Sequence, residues 1–453
     1  MSALPYLTPY YWQGDWITEA EAEQRIDSIG LIQSTLDGPL NAQTVLTACA
    51  SLSARLRDQI SSEFGSLYSE LTDELGTAMH ASDARSALEE LAEALTPARL
   101  SAQLTAELGS TTPEVPYRAA FAAEAVEFWQ PVGTLVHITP GNVAVAGFLS
   151  VVEGLLAGNV NIVKTSGTDG LFTQVGLALL AHADPTGCIR DRLVVLRFSS
   201  DNRDWLTRIC RSADAVAVWG TEEAVAGVTQ HIPSGCRTVE WGPKISVAYL
   251  DRTARADSTH LRRIAGDIFH NAQRTCTSPQ VVYVDTTDHD QLFATAAALA
   301  TELEAAADEF PVITPSTAEQ AEVTNVVTVA RLEEHLSLTR ITSSPDGRWH
   351  VLADIRSALC ASPLYGTIWV KPLSRENITA VLHPMRRYLQ TVGLAADPDV
   401  IPSLVNSFFR AGALRITPLG EMRDGFAGES HDGVLALQRY SRRVSIRTSA
   451  APE

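Results

Sequence analysis

The sequence predicts an α/β protein with more than one domain. From Gly133 onward, short runs rich in β-branched residues alternate with segments of helical length, as in GTLVHI, NVNIVK, RLVVLRF and AVAVWG. This alternation is typical of parallel strands joined by helical crossovers, and so of an open α/β sheet of the nucleotide-binding type. A second series begins with ISVAYL and continues through QVVYVD, NVVTVA and GTIWV. The length of 453 residues also exceeds the range in which one hydrophobic core keeps growing.

Three regions follow from this pattern. Residues 16–110 are rich in Ala, Leu and Glu at helical spacing, which predicts a helical N-terminal region. Residues 1–239 are expected to hold this region and the nucleotide-binding domain, and residues 240–410 a second α/β domain. Residues 411–453 contain short strand candidates and a Gly-rich turn, so this segment either returns to the first domain or forms an oligomer arm.

Charge and composition exclude several classes of function. The formal net charge is −18, which argues against affinity for nucleic acid and against adsorption to an anionic membrane. Clusters of arginine are interpreted as solvated faces that balance the carboxylate excess. They are Arg252, Arg255, Arg262 and Arg263, then Arg386 and Arg387, then Arg439, Arg442, Arg443 and Arg447.

Cysteine usage and the N-terminal sequence predict a cytoplasmic protein with reduced thiols. The six cysteines are widely scattered and show no metal-ligand spacing, so no metal site is expected. The opening residues lack a basic stretch followed by an apolar core. The longest apolar stretch starts at Val143 and is interrupted by Ser150 and Glu153, which is too polar for a membrane-spanning helix.

One cysteine lies in a setting that suits a nucleophile. Cys276 stands in NAQRTCTSPQVVYV, among polar side chains, whereas most cysteines of a reduced protein are buried in its core. Covalent catalysis by a thiol needs a thiolate, a donor for the oxyanion and a nearby acid or base. Asn142 in HITPGNVAVAG and Glu240 in VEWGPKISVAYL are the candidates for the last two.

A cofactor site is predicted at the carboxyl ends of the first series of strands. No GxGxxG fingerprint and no P-loop is present. Instead, LLAGNVNIVKTSG ends a buried strand at Lys164, at the sheet edge where open α/β sheets bind ligands. AVAVWGTEEAV passes from strand to helix through Gly220 and Thr221, whose backbone could hold a pyrophosphate. Thr221 as a purely structural N-cap is the alternative.

These segments together resemble the aldehyde dehydrogenase superfamily. ITPGN, AGNVNIVK, WGTEEAV, EWGPKIS and NAQRTCTSPQ are similar, in order, to its oxyanion Asn segment, cofactor Lys strand, pyrophosphate turn, Glu segment and catalytic Cys loop. The closer resemblance is to the fatty acyl-CoA reductase branch, the LuxC-like family. It is strong from Phe128 to Val284, and residues 1–110 carry no motif of the family. It implies a Rossmann-type cofactor domain, an α/β catalytic domain and a small oligomerisation or bridging element.

The resemblance also implies roles for single residues. Cys276 would form an acyl-enzyme thioester, Asn142 would stabilise the oxyanion, and Glu240 would assist proton transfer or activate the thiol, a salt bridge with Lys244 being the structural alternative. The residues implied in cofactor binding are Lys164, Thr165, Ser166, Gly220, Thr221, Trp241 and Gly242. Because no carboxylate follows Lys164, nothing there would repel a 2′-phosphate, which favours NADPH while leaving NADH open.

The predicted function is therefore reduction of an acyl thioester to an aldehyde with NAD(P)H. The acyl group would arrive on CoA or on an acyl carrier protein, and the family likeness implies a homodimer or larger homo-oligomer. One alternative is an aldehyde dehydrogenase that oxidises aldehyde to acid, with Glu240 activating water. Another is an acyl-transfer subunit that has lost redox function and works within a complex.

Overall fold

A computed structural model of the chain describes residues 8–36, 38–58, 81–118, 125–139, 144–166, 170–310 and 312–447. The chain divides into two compact units, Met1–Gly242 with Phe426–Glu453, and Pro243–Gly425. Each unit contains one seven-stranded, largely parallel sheet, so the predicted α/β class is confirmed. The predicted domain boundaries, at residues 239/240 and 410/411, stay a prediction.

The strands are numbered in chain order. They are β1 (Tyr10–Trp12), β2 (Asp15–Ile17), β3 (Tyr117–Arg118), β4 (Ala125–Pro131), β5 (Thr134–Ile138), β6 (Val160–Thr165), β7 (Leu193–Arg197), β8 (Ala215–Trp219), β9 (Arg237–Trp241), β10 (Ile245–Leu250), β11 (Pro279–Val284), β12 (Thr339–Ser343), β13 (His350–Asp354), β14 (Thr367–Pro372), β15 (Leu389–Ala395), β16 (Arg415–Pro418) and β17 (Ser441–Arg447).

The α-helices are numbered in the same way. They are α1 (Glu19–Arg25), α2 (Ala42–Arg57), α3 (Ala81–Ala94), α4 (Pro97–Leu108), α5 (Ala144–Leu156), α6 (Phe172–His182), α7 (Arg203–Arg211), α8 (Glu222–Thr229), α9 (Ser258–Phe269), α10 (His289–Ala306), α11 (Thr317–Glu334), α12 (Ile378–Leu382), α13 (Ile401–Ala411) and α14 (Ala436–Arg439). Short 3₁₀ helices span Ile26–Thr35, Arg190–Arg192, His270–Gln273, Ala307–Glu309, Arg375–Asn377 and His383–Met385.

In the first unit the strand order is β2-β1-β7-β6-β5-β8-β9. Strands β5 to β9 are parallel, and β5 lies between β6 on one side and β8 on the other. This arrangement creates a topological switch point at the carboxyl ends of β5 and β8, where open sheets form a ligand-binding crevice. Apolar layers on the two faces, around Phe148 and around Trp205, bury the sheet.

In the second unit the order is β12-β13-β14-β11-β10-β15-β16. All strands except β12 run parallel, and the faces are covered by α9 and α10 on one side and by α11 and α13 on the other. Since every helical crossover returns the chain to the same edge, the segments that precede β10, β11, β14, β15 and β16 meet at the amino edge of this sheet.

A third, antiparallel sheet has the order β17-β4-β3. Strand β17 pairs with β4 along its whole length, from Ser441 opposite Pro131 to Arg447 opposite Ala125. Across these strands Arg443 forms an ion pair with Glu127. The predicted small extra element therefore exists as a sheet, while its predicted role in oligomerisation stays a prediction.

Two local predictions were wrong. The apolar run NVVTVA does not form a strand but lies inside α11. A capping box starts this helix, with Ser316 N donating to Glu319 Oε2 at 2.8 Å and Glu319 N donating to Ser316 Oγ at 3.4 Å. Val323, Val327 and Ala330 are then buried at helical spacing, so the cap and the period outweigh the β-branched composition.

The second correction concerns the N-terminal region. Between Glu19 and Leu108 its described residues are mostly helical, but strand β2 occupies residues 15–17 and pairs with β1 at the edge of the first sheet. The hairpin turns through Gln13 and Gly14, whose φ angles are 47° and 103°. Two successive positive φ values match the right-handed twist of a tight hairpin. The aromatic strands YYW and DWI were missed because they are only three residues each.

Two carboxyl groups lie close together beneath α14 in the first unit. The amide Nε2 of Gln103 donates to Glu107 Oε1 at 2.9 Å and to Glu153 Oε1 at 3.0 Å. Burial, with a smaller contribution from Glu107, raises the pKa of Glu153 to about 8. Glu153 is therefore largely protonated at neutral pH, whereas an unfolded chain would ionise it.

This difference predicts how stability depends on pH. Because the folded state holds the proton more tightly, the contribution of Glu153 is complete below its unfolded pKa and is lost as pH rises towards 8. Glu153→Gln should remove a slope of at most about 1.4 kcal/mol per pH unit from the free energy of unfolding between these limits. Urea unfolding at several pH values measures it. The exposed Glu89→Gln should leave the slope unchanged, and an unchanged slope in Glu153→Gln would contradict the assignment.

Candidate functional site

Cys276 lies in the loop that leads from the 3₁₀ turn His270–Gln273 into β11, at the amino edge of the second sheet. Its side chain is half-buried. The loop is held by its own polar residues and by the neighbouring strand. Ser246 Oγ on β10 donates to the carbonyl oxygen of Cys276 at 2.7 Å, and the hydroxyls of Thr275 and Ser278 lie 2.6 Å apart. The backbone that carries the thiol is therefore fixed.

The approach to this loop is conformationally strained. Asn271, Ala272 and Gln273 have φ angles of 48°, 49° and 66°, in the left-handed region. Each such residue other than glycine costs roughly 1–2 kcal/mol, although asparagine tolerates the region better. Strain of this kind persists only where surrounding contacts impose it, and it concentrates at functional sites. Here Tyr365 N donates to Ala272 O at 3.1 Å, and Gln273 Nε2 donates to Pro279 O at 2.7 Å.

The segment that contacts this turn is itself left-handed. Leu364, Tyr365 and Gly366 have φ angles of 65°, 50° and 72°. A Cβ on Gly366 would lie 2.4 Å from Arg348 O, so only glycine fits there. Ser362 stabilises the segment by donating to Thr367 O and by accepting from Leu364 N. Two strained turns therefore support each other immediately before β11 and β14.

Two buried amide oxygens accompany the strain. The side-chain oxygens Asn271 Oδ1 and Gln273 Oε1 have no hydrogen-bond partner among the residues that the structure describes. A buried acceptor without a partner costs about 1–3 kcal/mol. Together with the left-handed turn, it indicates that this loop is not optimised for stability alone.

Burial favours the protonated thiol at four other cysteines. Burial raises the pKa of the Cys49 and Cys210 thiols to about 12 and that of Cys236 to about 11. Burial also raises the pKa of Cys360. These thiols stay protonated at neutral pH, and a thiol is a poor nucleophile compared with its thiolate.

In the first unit, Lys164 is the penultimate residue of β6, at the carboxyl edge of the sheet. Its side chain is 4% exposed. The ammonium Nζ donates to Ser200 Oγ at 3.0 Å and lies 5.5 Å from the centroid of the Phe198 ring. Burying a cation is costly unless polar groups or an anionic ligand compensate for it. Ser200 and Phe198 were not identified from the sequence, since they follow β7 and carry no motif.

The neighbouring predicted cofactor residues lie at the same edge. Thr165 ends β6 and is buried, and its hydroxyl accepts a hydrogen bond from Gln174 Nε2 at 3.2 Å. Ser166 follows it and is half-buried. Gly220 follows β8, and Thr221 Oγ1 accepts from Ala224 N at 3.3 Å, which makes Thr221 the N-cap of α8. The structural role proposed for Thr221 is thus present, and the cofactor role stays a prediction.

Strand β9 carries Glu240 and Trp241 and is followed by Gly242. Glu240 is exposed, whereas Trp241 is 3% exposed. The Trp241 ring stacks on Trp219, with centroids 5.0 Å apart, and His431 lies 5.1 Å from Trp241 and 5.3 Å from Trp219. Trp219 Nε1 is buried and has no hydrogen-bond partner in the described part of the chain. This aromatic cluster was not predicted, because His431 is distant in sequence.

A series of hydrogen bonds from buried side chains ends at Trp241. Asn161 Nδ2 donates to Asn159 O, which turns Asn161 Oδ1 towards His137 Nε2 at 3.0 Å. His137 is fully buried, and burial lowers its pKa to about 4, so the neutral ring donates from Nε2 and accepts at Nδ1. Nδ1 then accepts from Ser150 Oγ, 3.0 Å away.

The chain of hydrogen bonds continues from Ser150 to strand β9. Ser150 Oγ lies 3.0 Å from the Tyr440 hydroxyl, and Trp241 Nε1 donates to that hydroxyl at 3.4 Å. Because Ser150 donates its only hydrogen to His137, it must accept from Tyr440, and the Tyr440 oxygen in turn accepts from the Trp241 indole, which is only a donor. Every donor direction in this network is therefore determined.

The structure thus brings Lys164, Thr165, Ser166, Gly220, Thr221, Glu240, Trp241 and Gly242 to one edge of the first sheet. Cys276 belongs to the second unit and lies at the amino edge of the other sheet. Asn142, the predicted oxyanion residue, lies outside the described residues. Lys244 donates from Nζ to Arg387 O at 3.1 Å.

Neither a membrane span nor a metal-binding cluster is found in the described ranges. Among those residues no helix has the length and apolarity needed to cross a bilayer. No group of three or more His, Cys, Asp or Glu side chains is arranged to hold a metal ion there either.

The fold defines the class of protein. Betaine aldehyde dehydrogenase from Staphylococcus aureus is similar to this chain with a TM-score of 0.71, at 12% identity, covering 99% of this chain and 97% of that one. Aldehyde dehydrogenase 21 from Physcomitrella patens is similar with a TM-score of 0.68, at 12% identity, covering 95% and 90%. The chain has the fold of the aldehyde dehydrogenases.

Sequence similarity narrows this class to a family. The profile of the family described as acyl-CoA reductase (LuxC) matches residues 41–443, and the chain belongs to that family. The resemblance seen in the motifs is therefore confirmed. The long-chain acyl-protein thioester reductase of Vibrio harveyi is 25% identical over 317 residues, and that of Photorhabdus luminescens is 26% identical over 318. Each alignment covers 70% of this chain and 64% of the relative's length.

The close packing of Gly366 in the left-handed turn at residues 364–366 gives a test on stability. Gly366→Ala should destabilise the fold by about 2–4 kcal/mol, because the new Cβ meets Arg348 O and the φ angle is left-handed. Gly347→Ala is a matched control, since its φ is 78° and nothing lies within 4 Å of the point that its Cβ would occupy. It should cost only about 1 kcal/mol. Denaturant unfolding measures both, and equal losses would contradict a role for close packing.

Proposed function

We propose that this protein reduces an acyl thioester to an aldehyde with NAD(P)H through an acyl group bound to Cys276. The observation that carries the proposal is the Cys276 loop, a half-buried thiol on a backbone held by Ser246 and preceded by three left-handed residues. Membership of the acyl-CoA reductase (LuxC) family supports the same chemistry.

In the first step the Cys276 thiolate attacks the carbonyl carbon of the thioester. A new C–S bond forms, and the tetrahedral intermediate collapses by breaking the bond to the carrier sulfur, which leaves as a thiolate and takes up a proton. Asn142 and the backbone N–H of Cys276 are the proposed donors to the oxyanion, each worth on the order of 3 kcal/mol. The hydrogen bond from Ser246 to the Cys276 carbonyl fixes the following peptide, between Cys276 and Thr277, and so holds the backbone beside the thiol.

In the second step the acyl group on Cys276 is reduced. A nicotinamide cofactor held by the residues of the first unit would supply the hydride, two electrons and one proton equivalent, that the acyl carbonyl carbon needs. Cys276 then carries a thiohemiacetal, which releases aldehyde and regenerates the thiolate. Glu240 is proposed to assist the accompanying proton transfer, since its carboxylate is exposed and no water needs activation in a reaction that ends at aldehyde.

The residues of the first unit fit a dinucleotide. The buried ammonium of Lys164, which donates to Ser200, lies at the carboxyl edge of the first sheet and brings positive charge there. Trp219 Nε1 lies at the same edge and has no hydrogen-bond partner among the described residues, so an acceptor group of a nucleotide would satisfy it. Lys164, Thr165, Ser166, Gly220, Thr221, Trp241 and Gly242 are the proposed binding residues. NADPH is the proposed form, with NADH as the other possibility, because Thr165 and Ser166 bring no negative charge to this edge.

The acyl donor is proposed to be a protein-bound thioester or an acyl-CoA. Relatives of this chain are described as acyl-protein thioester reductases, which supports delivery on a protein. A homodimer or larger homo-oligomer is proposed from the family likeness alone.

The proposal predicts an isolable acyl-enzyme. With a long-chain acyl-CoA and no reduced cofactor, intact-mass analysis should find one added acyl group that hydroxylamine removes. Cys276→Ala should not form it, and Cys188→Ala, which removes another half-buried thiol, should form it as the wild type does. NADPH should discharge the adduct as aldehyde. A Cys276→Ala protein acylated at the wild-type level would contradict the assigned nucleophile.

A second prediction concerns the cofactor. Lys164→Met should weaken NADPH binding by about tenfold or more, since a charge-assisted hydrogen bond contributes about 1.5–3 kcal/mol. Titration of cofactor fluorescence measures this without turnover. Acylation of Cys276 in the absence of cofactor should be unchanged. Lys244→Met, which removes a lysine of the second unit, is the control and should bind NADPH normally; equal affinities of the two variants would argue against a cofactor role for Lys164.

A further inference from the structure

The second unit contains a stretch with an unusual charge balance. The whole chain carries 53 Asp and Glu residues and a net charge of −18. Between Asn377 and Gly420, however, the only carboxylates are Asp397 and Asp399, which follow β15 and lie at the carboxyl edge of the sheet. At the opposite edge, where β15 and β16 begin, the segments that lead into these two strands therefore contribute no acidic side chain.

Four cations lie along the part of this amino edge formed by β10, β15 and β16. Lys244 precedes β10, Arg386 and Arg387 precede β15, and Arg410 lies in the last turn of α13, just before β16. The three arginines are exposed and Lys244 is half-buried. Within the described part of the chain none of the four forms an ion pair, whereas other arginines of the same unit do, namely Arg348, Arg356 and Arg375. We call these four residues, with the apolar Phe409 and Leu414, the basic edge.

The sheet topology sets the distance of the basic edge from the nucleophile. The order β11-β10-β15-β16 puts Lys244, Arg387 and Leu414 one, two and three strand positions from the strand that follows Cys276. Adjacent strands are about 4.8 Å apart, so these positions are roughly 5, 10 and 14 Å along the edge. The bonds from Lys244 Nζ to Arg387 O and from Leu414 N to Gln390 O join the segments across these strands.

The basic edge also exposes apolar surface. Phe409 is 51% exposed and Leu414 is 42% exposed. Aromatic side chains and arginines are enriched in protein interfaces, and a few of them commonly contribute most of the binding energy. A surface that combines cations with exposed apolar side chains over a span of roughly 10 Å suits a protein partner better than a single phosphate group.

We propose that the basic edge is the docking surface for an acidic protein domain that carries the acyl thioester. The inference rests on the proposed function, which requires a thioester carbonyl to reach Cys276. An acidic partner is repelled by a chain of net charge −18 over most of its surface, so a local positive surface beside the nucleophile determines both encounter and orientation.

The test compares three substrates that bear the same long acyl chain. The first is an acidic acyl carrier protein, the second is CoA, and the third is N-acetylcysteamine, a small thioester without phosphate or charge. Aldehyde formation with NADPH is measured at low substrate concentration, which gives kcat/KM. In the wild type, kcat/KM for the carrier-bound substrate should fall as salt is raised to about 0.3 M, and that for the uncharged thioester should not.

The variant is Arg387→Glu with Arg410→Glu. It should lose roughly tenfold or more of kcat/KM for the carrier-bound substrate, together with its salt dependence, because electrostatic steering is reversed. For the uncharged thioester, kcat/KM of the variant should equal that of the wild type. The matched control is Arg331→Glu with Arg211→Glu. Both of its arginines are exposed in the last turn of a helix, and the net charge changes equally.

The outcomes separate the docking surface from the chemistry. If the wild type neither acylates Cys276 nor forms aldehyde with the uncharged thioester, the proposed function fails. If it does both and the variant still accepts the carrier-bound substrate normally, the docking surface is wrong. An equal loss with acyl-CoA would assign the basic edge to phosphate recognition, and an altered oligomeric state by light scattering would assign it to contacts between copies of this chain. Either result overturns the proposal.

Folding of the variant is checked independently. Thermal unfolding should match that of the control variant. If it does not, Arg387→Gln with Arg410→Gln replaces it, and the affinity of the carrier-bound substrate for Cys276→Ala protein is measured directly by calorimetry. The Cys276→Ala protein that also carries Arg387→Gln and Arg410→Gln is compared with the Cys276→Ala protein that keeps both arginines. Equal affinities of the two proteins for the carrier-bound substrate would overturn the proposal without any turnover.

Discussion

The arrangement of the candidate site depends on a strained backbone before Cys276, which tertiary contacts hold in an unfavourable conformation. Asn271, Ala272 and Gln273 occupy the left-handed region in succession, and the local sequence offers no glycine to relieve the cost. The conformation persists because the Gln273 amide is anchored on Pro279 O and because Tyr365 N reaches Ala272 O. Both anchors lie at the start of strands of the second sheet. The sheet therefore determines the direction in which Cys276 is presented, and the loop itself needs little regular structure.

The sheet in turn gives this edge its chemical character. Parallel strands bring every preceding segment to one side, so residues that are far apart in sequence become neighbours there. Ser246, near the start of β10, holds the Cys276 carbonyl, and the same edge carries Lys244, Arg387 and Arg410 further along. In the proposed function the Cys276 thiol accepts an acyl group, and a loop held by a rigid sheet is a common place for such a residue.

Much of the framework could be predicted from the sequence, because buried parallel strands are nearly continuous apolar runs. The strands at Thr134–Ile138, Val160–Thr165 and Ala215–Trp219 were predicted on this ground. The same reasoning failed at NVVTVA, where composition favours a strand but a capping box upstream starts a helix. The left-handed turn could not be predicted, because alanine and glutamine do not favour it and the contacts that impose it, from Tyr365 and Pro279, form only in the folded chain.

The edge of the first sheet illustrates the same limit for side chains. Lys164 was identified because it lies at the end of a buried strand, where open α/β sheets bind ligands, yet its partners Ser200 and Phe198 come from the segment after β7. Trp241 was identified from its motif, but its support comes from Tyr440, nearly at the other end of the chain. Since Asn161 Oδ1 can only accept and each hydroxyl has one hydrogen to donate, the whole sequence of donors from Trp241 to Asn161 has a single solution. Because its donors have only one possible arrangement, this hydrogen-bond network rigidifies the end of strand β9. Its central residue, Tyr440, comes from the C-terminal segment, which belongs to the first unit.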